Sequence, residues 1–388
     1  MLEARGFKPK IFDNITVEES IHRQSIHSFH KTMVLKKDDA IIGCLLGTAV
    51  GDALGLCCEG ISKSRQRRIY PDMNRYHLFF GRGMVSDDTE HACMVAQALI
   101  VSAGDVQIFA NNLAWRSRWW LLGLPAGIGY ATLRAILKLW LGFPPDRSGV
   151  FSAGNGAAMR SGIIGVCYGH DTQILCQLVK ASTRMTHTDP KAEFGALAVA
   201  IAAYMASSQS QADISPQKYY QTLQIVLPQE ANEFLALMAK TVESVAAGNS
   251  TEAFAAQIRL SNGVSGYIYH TVPVVIHGWL RHQRDYRSAI VDIIRCGGDT
   301  DTTAAILGAI VGASVGKSGI PPEWMGGLCE WPRTVGWIEK LGRRLAQVTS
   351  DGIGQSALAL PIYGLFLRNI LFMLIVLGHG FRRLLPPY

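Results

Sequence analysis

The spacing of apolar residues predicts helices along most of the chain. Apolar positions recur at intervals of three and four residues, which is the spacing of one helix face. The segments with this pattern are 89–103, 106–122, 128–140, 156–168, 171–185, 190–206, 231–247 and 251–258, and the aromatic and apolar segment 267–282 is also predicted to be a helix. No segment alternates apolar and polar residues with β-branched enrichment, the pattern of a half-buried strand. The pattern therefore predicts an all-α protein.

Two further apolar segments carry a glycine at every fourth position. In Ile41 to Gly55 these are Gly43, Gly47, Gly51 and Gly55, and in Ala304 to Gly316 they are Gly308, Gly312 and Gly316. On a helix such glycines form one bare stripe, which lets another backbone approach closely. We expect the two helices to pack against each other at the centre of the fold. Asp52 lies in the first of them, either as a hydrogen-bonded core group or as a carboxylate of a site.

Composition shifts divide the chain into three parts. Residues 1–38 are polar and form a predicted N-terminal arm, residues 39–350 form the core, and residues 351–388 form an apolar C-terminal segment. Within the core, 142–156 and 207–218 are rich in loop-forming residues. The apolar run 370–377 reaches the length of a membrane span only by including Arg368 and Asn369, which are costly at membrane depth. A docked helix and a membrane tail both remain open for this segment.

Composition narrows the functional classes. Of the 388 residues 48% are hydrophobic and 17% are charged, which excludes general disorder. The net charge of +7 is mild and spread over the chain, and basic residues are densest at 65–68 and at Arg382 and Arg383, a pattern that suits an anionic ligand such as a pyrophosphate. It is too sparse for a nucleic-acid groove, and we expect no nucleic-acid partner.

Cysteine usage and the first residues suggest a compartment. Eight cysteines occur without a C-x-x-C pair, and the first residues contain no apolar signal-peptide core. We therefore expect free thiols and a cytoplasmic location. The alternative is association with a membrane through the C-terminal segment.

Two acidic clusters carry the candidate chemistry. Ser86-Asp87-Asp88-Thr89 and Asp299-Thr300-Asp301-Thr302 each precede an apolar helical segment. Such residues commonly cap helices, and one residue can cap and ligate at once. Because adjacent carboxylates repel unless a cation neutralises them, the two clusters together favour a site for hard divalent cations. Two metal ions about 3.5–4 Å apart form a catalytic arrangement.

The motifs taken together resemble those of the ADP-ribosylglycohydrolase family. They come in the family's order and span residues 40 to about 335: GCLLGTAVGDALGLCCE (Gly43 to Glu59), SDDTE (Ser86 to Glu90), GNGAAMR (Gly154 to Arg160), Thr186-His187, and GGDTDTTAAILGAIVGA (Gly297 to Ala313). The resemblance implies that 39–350 is one orthogonal multi-helix bundle with a central site for two Mg²⁺ ions, with Mn²⁺ also acceptable. The ligands it implies are Ser86, Asp87, Asp88, Asp299, Asp301 and Thr302.

The resemblance also implies roles around the metals. Asp87, Asp88 and Asp301 would serve catalysis, and Glu59 falls at the position of an acidic residue that gates the site or acts near the scissile bond. Gly154, Asn155 and Gly156 match a loop that lines an ADP-ribose pocket, and His187 matches a nucleotide-contacting position. Each has a simpler alternative: a solvated carboxylate for Glu59, a turn for Asn155 and a satisfied histidine for His187.

The implied activity is metal-dependent hydrolysis of the bond between ADP-ribose and a protein side chain. The partner would be an ADP-ribosylated protein, with arginine favoured as the acceptor because SDDTE is most similar to the dinitrogenase-reductase-activating branch. The alternative is an immunity-type protein, similar to some bacterial relatives, whose residues 1–38 bind and neutralise an ADP-ribosyltransferase toxin.

Overall fold

The computed structural model describes residues 37–208 and 213–385, and within these ranges all regular structure is helical. Pairing between extended segments is limited there to isolated bridges, such as the one between Val150 and His187. The predicted all-α class is confirmed. The predicted arm 1–38 lies outside the described residues apart from Lys37 and Asp38.

The helices follow one another with short connections. Helix α1 spans 37–55, and the others are α2 (Lys63–Ile69), α3 (Asp87–Ser102), α4 (Val106–Leu122), α5 (Tyr130–Trp140), α6 (Gly162–Tyr168), α7 (Thr172–Arg184), α8 (Pro190–Ser207), α9 (Pro216–Val226), α10 (Asn232–Ala246), α11 (Thr251–Gln257), α12 (Ile268–Arg281), α13 (Tyr286–Arg295), α14 (Thr300–Val315), α15 (Pro322–Gly327), α16 (Val335–Asp351) and α17 (Ile362–Arg382). Short 3-10 turns follow α1 at Leu56–Cys58 and precede α6 at Asn155–Arg160.

Helices α1 and α14 form the centre of the fold, and their glycine stripes face each other. A Cβ atom on Gly47 would overlap the carbonyl oxygen of Gly308, and one on Gly43 would overlap that of Gly312. At the end of the pair, the Thr300 hydroxyl donates to the Gly55 carbonyl over 2.8 Å. This backbone contact brings the residues after α1 close to the start of α14. Helices α8, α12 and α13 pack around α14.

Five helices lie outside the predicted segments. These are α2, α9, α13, α15 and α16. Helix α2 (KSRQRRI) is short and nearly all polar, so it offers little periodicity. Helix α9 begins at Pro216, inside the predicted loop 207–218, with Ser215 as its N-cap. The predicted helix 156–168 is divided, because Ser161 ends the 3-10 turn before α6 begins.

Helix α17 lies with one face on the core. Its Arg368 and Asn369 are buried, and Asn369 donates to the Gly123 carbonyl over 2.8 Å. Two helices, 37–58 and 362–382, are long and apolar enough to cross a membrane, by length and composition only. The first is fully buried in the fold, whereas only 22% of the second is.

Candidate active site

A cavity of about 580 Å³ opens where α3, α5 and α14 begin. The predicted residues that line it are Glu59, Asp87, Gly154, Asn155, Gly156, His187, Asp299, Asp301 and Thr302. Ser86 and Asp88 lie behind the wall, buried next to this set. The structure thus brings together, around one cavity, residues that the sequence places in five separate segments.

Ser86 caps α3 and is itself held by Asp52. The Ser86 hydroxyl accepts from the Asp88 backbone N–H over 3.2 Å. The Asp52 carboxylate accepts the backbone N–H groups of Ser86 (2.9 Å) and Thr89 (3.2 Å), together with the Thr89 hydroxyl (2.5 Å). Asp52 is fully buried and does not line the cavity, so it fixes the start of α3 rather than touching a ligand. Burial raises the pKa of Asp52 to about 7, and the bonds from Thr89 and Ser86 oppose that rise.

The second cluster meets the first through one hydrogen bond. The Thr302 hydroxyl donates to Asp88 Oδ2 over 3.2 Å, and the Ser86 hydroxyl donates to the same oxygen over 3.2 Å. Asp299 lies at the N-terminus of α14 without capping it, and its Oδ2 accepts from the Asn155 side chain over 2.7 Å. Asp299 is therefore aimed at the cavity loop rather than at its own helix.

Capping alone does not account for these carboxylates. Asp88 Oδ1 and Asp301 Oδ1 are buried without a hydrogen-bond partner among the described residues. Burial raises the pKa of both groups well above the usual range, and neighbouring carboxylates raise it further. The pKa of Asp87 is raised for the same two reasons. An unpaired buried acidic oxygen is costly, and a bound cation would relieve the cost.

The oxygen atoms around the cavity are of the kind that binds hard divalent cations, and they come from both carboxylates and hydroxyls. Among residues 37–208 and 213–385, no three or more His, Cys, Asp and Glu side chains form a group able to hold a metal ion as they stand. The set here instead mixes carboxylate oxygens with the hydroxyls of Ser86 and Thr302. Such all-oxygen donors are the type that Mg²⁺ and Mn²⁺ accept.

The loop Gly154–Gly156 packs directly on His187. A Cβ on Gly154 would lie 3.1 Å from His187 Nε2, and one on Gly156 would lie 3.0 Å from His187 Cε1. Larger residues at either position would push the ring away. The Asn155 backbone N–H donates to the Gly266 carbonyl over 2.9 Å, which anchors the loop beside α12.

A buried network behind the loop orients the His187 ring. Arg160 donates to the Thr186 hydroxyl over 2.6 Å, and this hydroxyl lies 2.8 Å from His187 Nδ1. Burial lowers the pKa of His187 to about 3, and the Arg160 charge lowers it further. His187 is therefore a neutral ring at the cavity wall.

Glu59 lies at the cavity mouth on the turn that follows α1. Partial shielding from water raises the pKa of its carboxyl, the Asp299 charge adds to this, and the Arg383 charge opposes it. Arg383, just after α17, donates to the backbone carbonyls of Glu59 (2.8 Å) and Cys57 (3.1 Å). The C-terminal segment thus holds the turn that carries Glu59.

Several residues at or near the cavity were not predicted from the sequence. The sequence marks Arg383 as part of a basic pair but not as a neighbour of Glu59, because the two lie more than 300 residues apart in the chain. Tyr130 and Phe151 line the cavity with 73% and 80% of their surface exposed. Two exposed aromatic rings at one cavity indicate a binding surface, and their exposure can be seen only in the folded structure.

The sequence matches the family model described as ADP-ribosylglycohydrolase over residues 33–353. The chain belongs to the ADP-ribosylglycohydrolase family. Members are hydrolases of ADP-ribosyl glycosidic bonds, and the chain is accordingly a glycosidase. The match covers α1 to α16 and stops before α17.

Named relatives agree with this assignment. The chain is 26% identical over 295 residues to "ADP-ribosyl-[dinitrogen reductase] glycohydrolase" of Rhodospirillum rubrum, covering 74% of this chain and 89% of that protein. It is 26% identical over 349 residues to "ADP-ribosylhydrolase ARH3" of Gallus gallus, covering 73% and 87%. It is also 26% identical over 330 residues to "ADP-ribosylarginine hydrolase Tri1" of Pseudomonas putida (strain GB-1), covering 81% and 78%.

A solved structure shares the fold. The "ADP-ribosylglycohydrolase-related protein complex" superposes with a TM-score of 0.60 at 24% identity, covering 81% of this chain and 99% of that one. At this identity the likeness supports the fold alone. Together with the family match, it confirms the predicted orthogonal multi-helix bundle.

Proposed function

We propose that the protein is a Mg²⁺-dependent hydrolase that removes ADP-ribose from protein side chains. One observation carries the metal assignment: Asp88 and Asp301, from clusters far apart in sequence, lie buried beside one cavity, each with an unpartnered carboxylate oxygen. Burial raises the pKa of both groups, and the charges of neighbouring carboxylates raise it further. A site that concentrates unpaired negative charge is suited to cations.

The proposed ligands are Ser86, Asp87, Asp88, Asp299, Asp301 and Thr302. When bound, a pair of Mg²⁺ ions would hold the ribose hydroxyls and lower the pKa of water. Asn155 would orient Asp299 through its 2.7 Å hydrogen bond, because outer partners commonly fix the direction of metal-ligating carboxylates.

The chain's own residues would handle the protons. Asp87 lines the cavity, whereas Asp88 is tied to Ser86 and Thr302, so Asp87 is the better placed to accept the proton of the attacking water. Water attacks the anomeric carbon, and the bond from that carbon to the side-chain nitrogen or oxygen breaks. Glu59 at the mouth, with its raised pKa, would protonate the leaving atom.

The other side of the cavity is suited to the nucleotide. The Gly154 and Asn155 backbone N–H groups already donate to the Ser152 hydroxyl (3.3 Å) and the Gly266 carbonyl (2.9 Å), so the Gly156 N–H is the one in this loop that would receive the pyrophosphate. The exposed rings of Tyr130 and Phe151 offer faces for the adenine, and one base–aromatic contact contributes about 1–3 kcal/mol. The buried, neutral His187 ring would support the nucleotide-binding loop from behind.

Arginine is the proposed acceptor, and ADP-ribosylated proteins are the proposed partners. The SDDTE motif and the name of the Pseudomonas relative, an "ADP-ribosylarginine hydrolase", support arginine, and the name of the Rhodospirillum relative supports a protein partner. The toxin-binding alternative rested on residues 1–38, almost all of which lie outside the described part. The named relatives are all called hydrolases, so their names give this alternative no support. A cytoplasmic location is proposed because all eight cysteines are free.

Peptides with known linkages test the proposal. Purified protein with Mg²⁺ would be incubated separately with Arg-linked and Ser-linked ADP-ribosyl peptides, and released ADP-ribose would be measured by chromatography. We expect release from the Arg-linked peptide and loss of release in Asp301→Ala. The control Asp351→Ala, an exposed acid at the end of α16, should be as active as wild type. Release from the Ser-linked peptide alone would correct the acceptor, and release from neither would refute the proposal.

A further inference from the structure

Helix α17 presents a continuous apolar stripe to solvent. Its exposed positions, at helical spacings of three and four, are Tyr363, Phe366, Leu367, Ile370, Leu371, Leu374, Leu377 and Phe381. At about 1.5 Å per residue the stripe is roughly 27 Å long. No charged side chain interrupts it between 363 and 381, since Arg368 points into the core. Monomeric soluble proteins rarely expose an apolar surface of this length.

Further exposed apolar residues lie on the turn after α4, which contacts α17. Asn369 bonds to the Gly123 carbonyl, and the flanking Leu122 and Leu124 are both more than half exposed. One and two turns earlier on α4, Trp119 and Trp115 are also more than half exposed, with ring centroids 6.0 Å apart. Exposed tryptophans beside an apolar surface are typical of the membrane–water interface.

A basic rim borders the C-terminal end of the stripe. A groove beside α17 is lined by Arg75, Phe80 and Arg382 among others. Phe80 is 96% exposed at the tip of a tight turn with φ of 47°, a conformation unusual for an aromatic residue. Asp72 is the acidic group in contact, 3.6 Å from Arg75. Arginine beside apolar surface complements anionic lipid headgroups.

We propose that this face of α17, with Leu122, Leu124 and Phe80, rests on a membrane surface that contains anionic lipid. The helix would lie in the interface rather than span it. Spanning would expose the buried Arg368, which bonds to Glu330 and to the Val85 carbonyl. A second copy of the chain fits less well as the occupant: a parallel two-fold contact would place the two basic rims beside each other, and an antiparallel one would leave both rims without an anionic partner from the stripe. The inference stands apart from the proposed hydrolysis.

Vesicle co-sedimentation of the full chain tests the inference. Phosphatidylcholine vesicles would be compared with vesicles containing one-quarter phosphatidylglycerol. We expect binding to the anionic vesicles that weakens with salt. The double variant Leu371→Glu/Leu374→Glu should lose at least tenfold in binding, and Arg382→Gln about fivefold, since one basic residue near an anionic surface contributes about 1 kcal/mol.

Ile225→Glu provides the matched control, since Ile225 is an apolar residue of α9 with 84% exposure. It should bind vesicles as wild type does, and circular dichroism would verify that each variant is folded. Equal binding by wild type and the Leu371/Leu374 variant, or no binding to either vesicle, would overturn the proposal. A lipid-free dimer in light scattering that the same variant disperses would assign the surface to self-association instead.

Discussion

Two buried histidines show how single residues couple the fold to pH. His187 lies behind the cavity loop, and His277 on α12 stacks on Phe254 with ring centroids 4.6 Å apart. Burial lowers the pKa of each to about 3, with help from Arg160 for His187 and from Arg281 for His277. Both rings are therefore neutral in the folded protein at any pH where the protein works.

The lowered pKa values predict a loss of stability in mild acid. The unfolded state takes up a proton near the ordinary histidine pKa of about 6.5, while the folded state does not, so the free energy of unfolding falls as pH drops from about 6.5 towards 3. Each histidine contributes up to about 1.4 kcal/mol per pH unit in that window and nothing above it. Urea unfolding would give the free energy of unfolding at pH 7.5 and at pH 5. The decrease between the two pH values should be about 2 kcal/mol smaller in His187→Gln, and likewise in His277→Gln, than in the wild type.

The pair also separates stability from function. Only His187→Gln should raise the KM for an ADP-ribosyl substrate, because His277 does not line the cavity. An unchanged pH dependence of stability in both variants would show that the rings are not neutral and buried. An equal rise in KM for both would remove His187 from the nucleotide side of the site.

At the scale of elements, the contact between α1 and α14 decides where the site forms. The glycine stripes place the two backbones in direct contact, and Thr300 joins the start of α14 to the end of α1. Asp52 then ties α1 to the start of α3. Three helix ends are thereby fixed around one cavity.

Substitution of one stripe glycine tests this contact. A Cβ in Gly47→Ala would collide with the Gly308 carbonyl, a backbone atom that cannot move aside. Overpacking usually costs about 1–3 kcal/mol and more when the backbone must shift, so we expect at least about 3 kcal/mol of lost stability by urea unfolding. Gly378→Ala in α17, with open space around its Cβ position, should change stability by about 1 kcal/mol at most, in the favourable direction. Equal stability of the two variants would contradict the close packing.

The element scale also shows what the sequence can predict. The stripe spacing predicts the α1–α14 contact, and the sequence pattern predicts α3, α4, α7 and α8 closely. Helix α7 has one apolar face, α3 and α8 are apolar and buried on nearly all sides, and Asp105, Asp171 and Asp189 cap the starts of α4, α7 and α8. The pattern does not predict that Asp52 holds Ser86, since this contact depends on how two helices cross in space. The same holds for Arg383 and the Glu59 turn. Sequence motifs therefore identify the candidate ligands, while the groups that position them depend on tertiary packing.

At the scale of the whole molecule, a buried ion cluster ties α17 to the core. Arg368 donates to Glu330, which also accepts the Val85 backbone N–H over 2.8 Å. Glu90 on α3 accepts from Arg333 and lies 3.5 Å from Arg368. Although burial opposes it, the Glu330 and Glu90 charges raise the pKa of Arg368. Arg368 lies beyond the segment 33–353 that matches the family, whereas Glu90 is the last residue of the SDDTE motif. The cluster therefore joins the C-terminal segment, at that motif, to the part of the fold that matches the family.

Removal of Arg368 should therefore lower the free energy of unfolding strongly. Arg368→Met leaves two buried carboxylates with one fewer partner, and breaking a buried pair costs about 3–5 kcal/mol. Arg343→Met, which removes an exposed pair with Glu339, should cost at most about 1 kcal/mol. Thermal and urea unfolding provide the comparison. A cost for Arg368→Met no larger than that for Arg343→Met would show that α17 is not anchored through this cluster.

Cation binding at the acidic cavity is the central claim, and Mn²⁺ binding measured by equilibrium dialysis tests it most directly. Wild type should bind two ions, and Asp301→Asn, which keeps the side-chain shape but removes the charge, should bind at most one and release no ADP-ribose. Asp351→Asn should match wild type in both. Full two-ion binding and full release by Asp301→Asn would contradict the account.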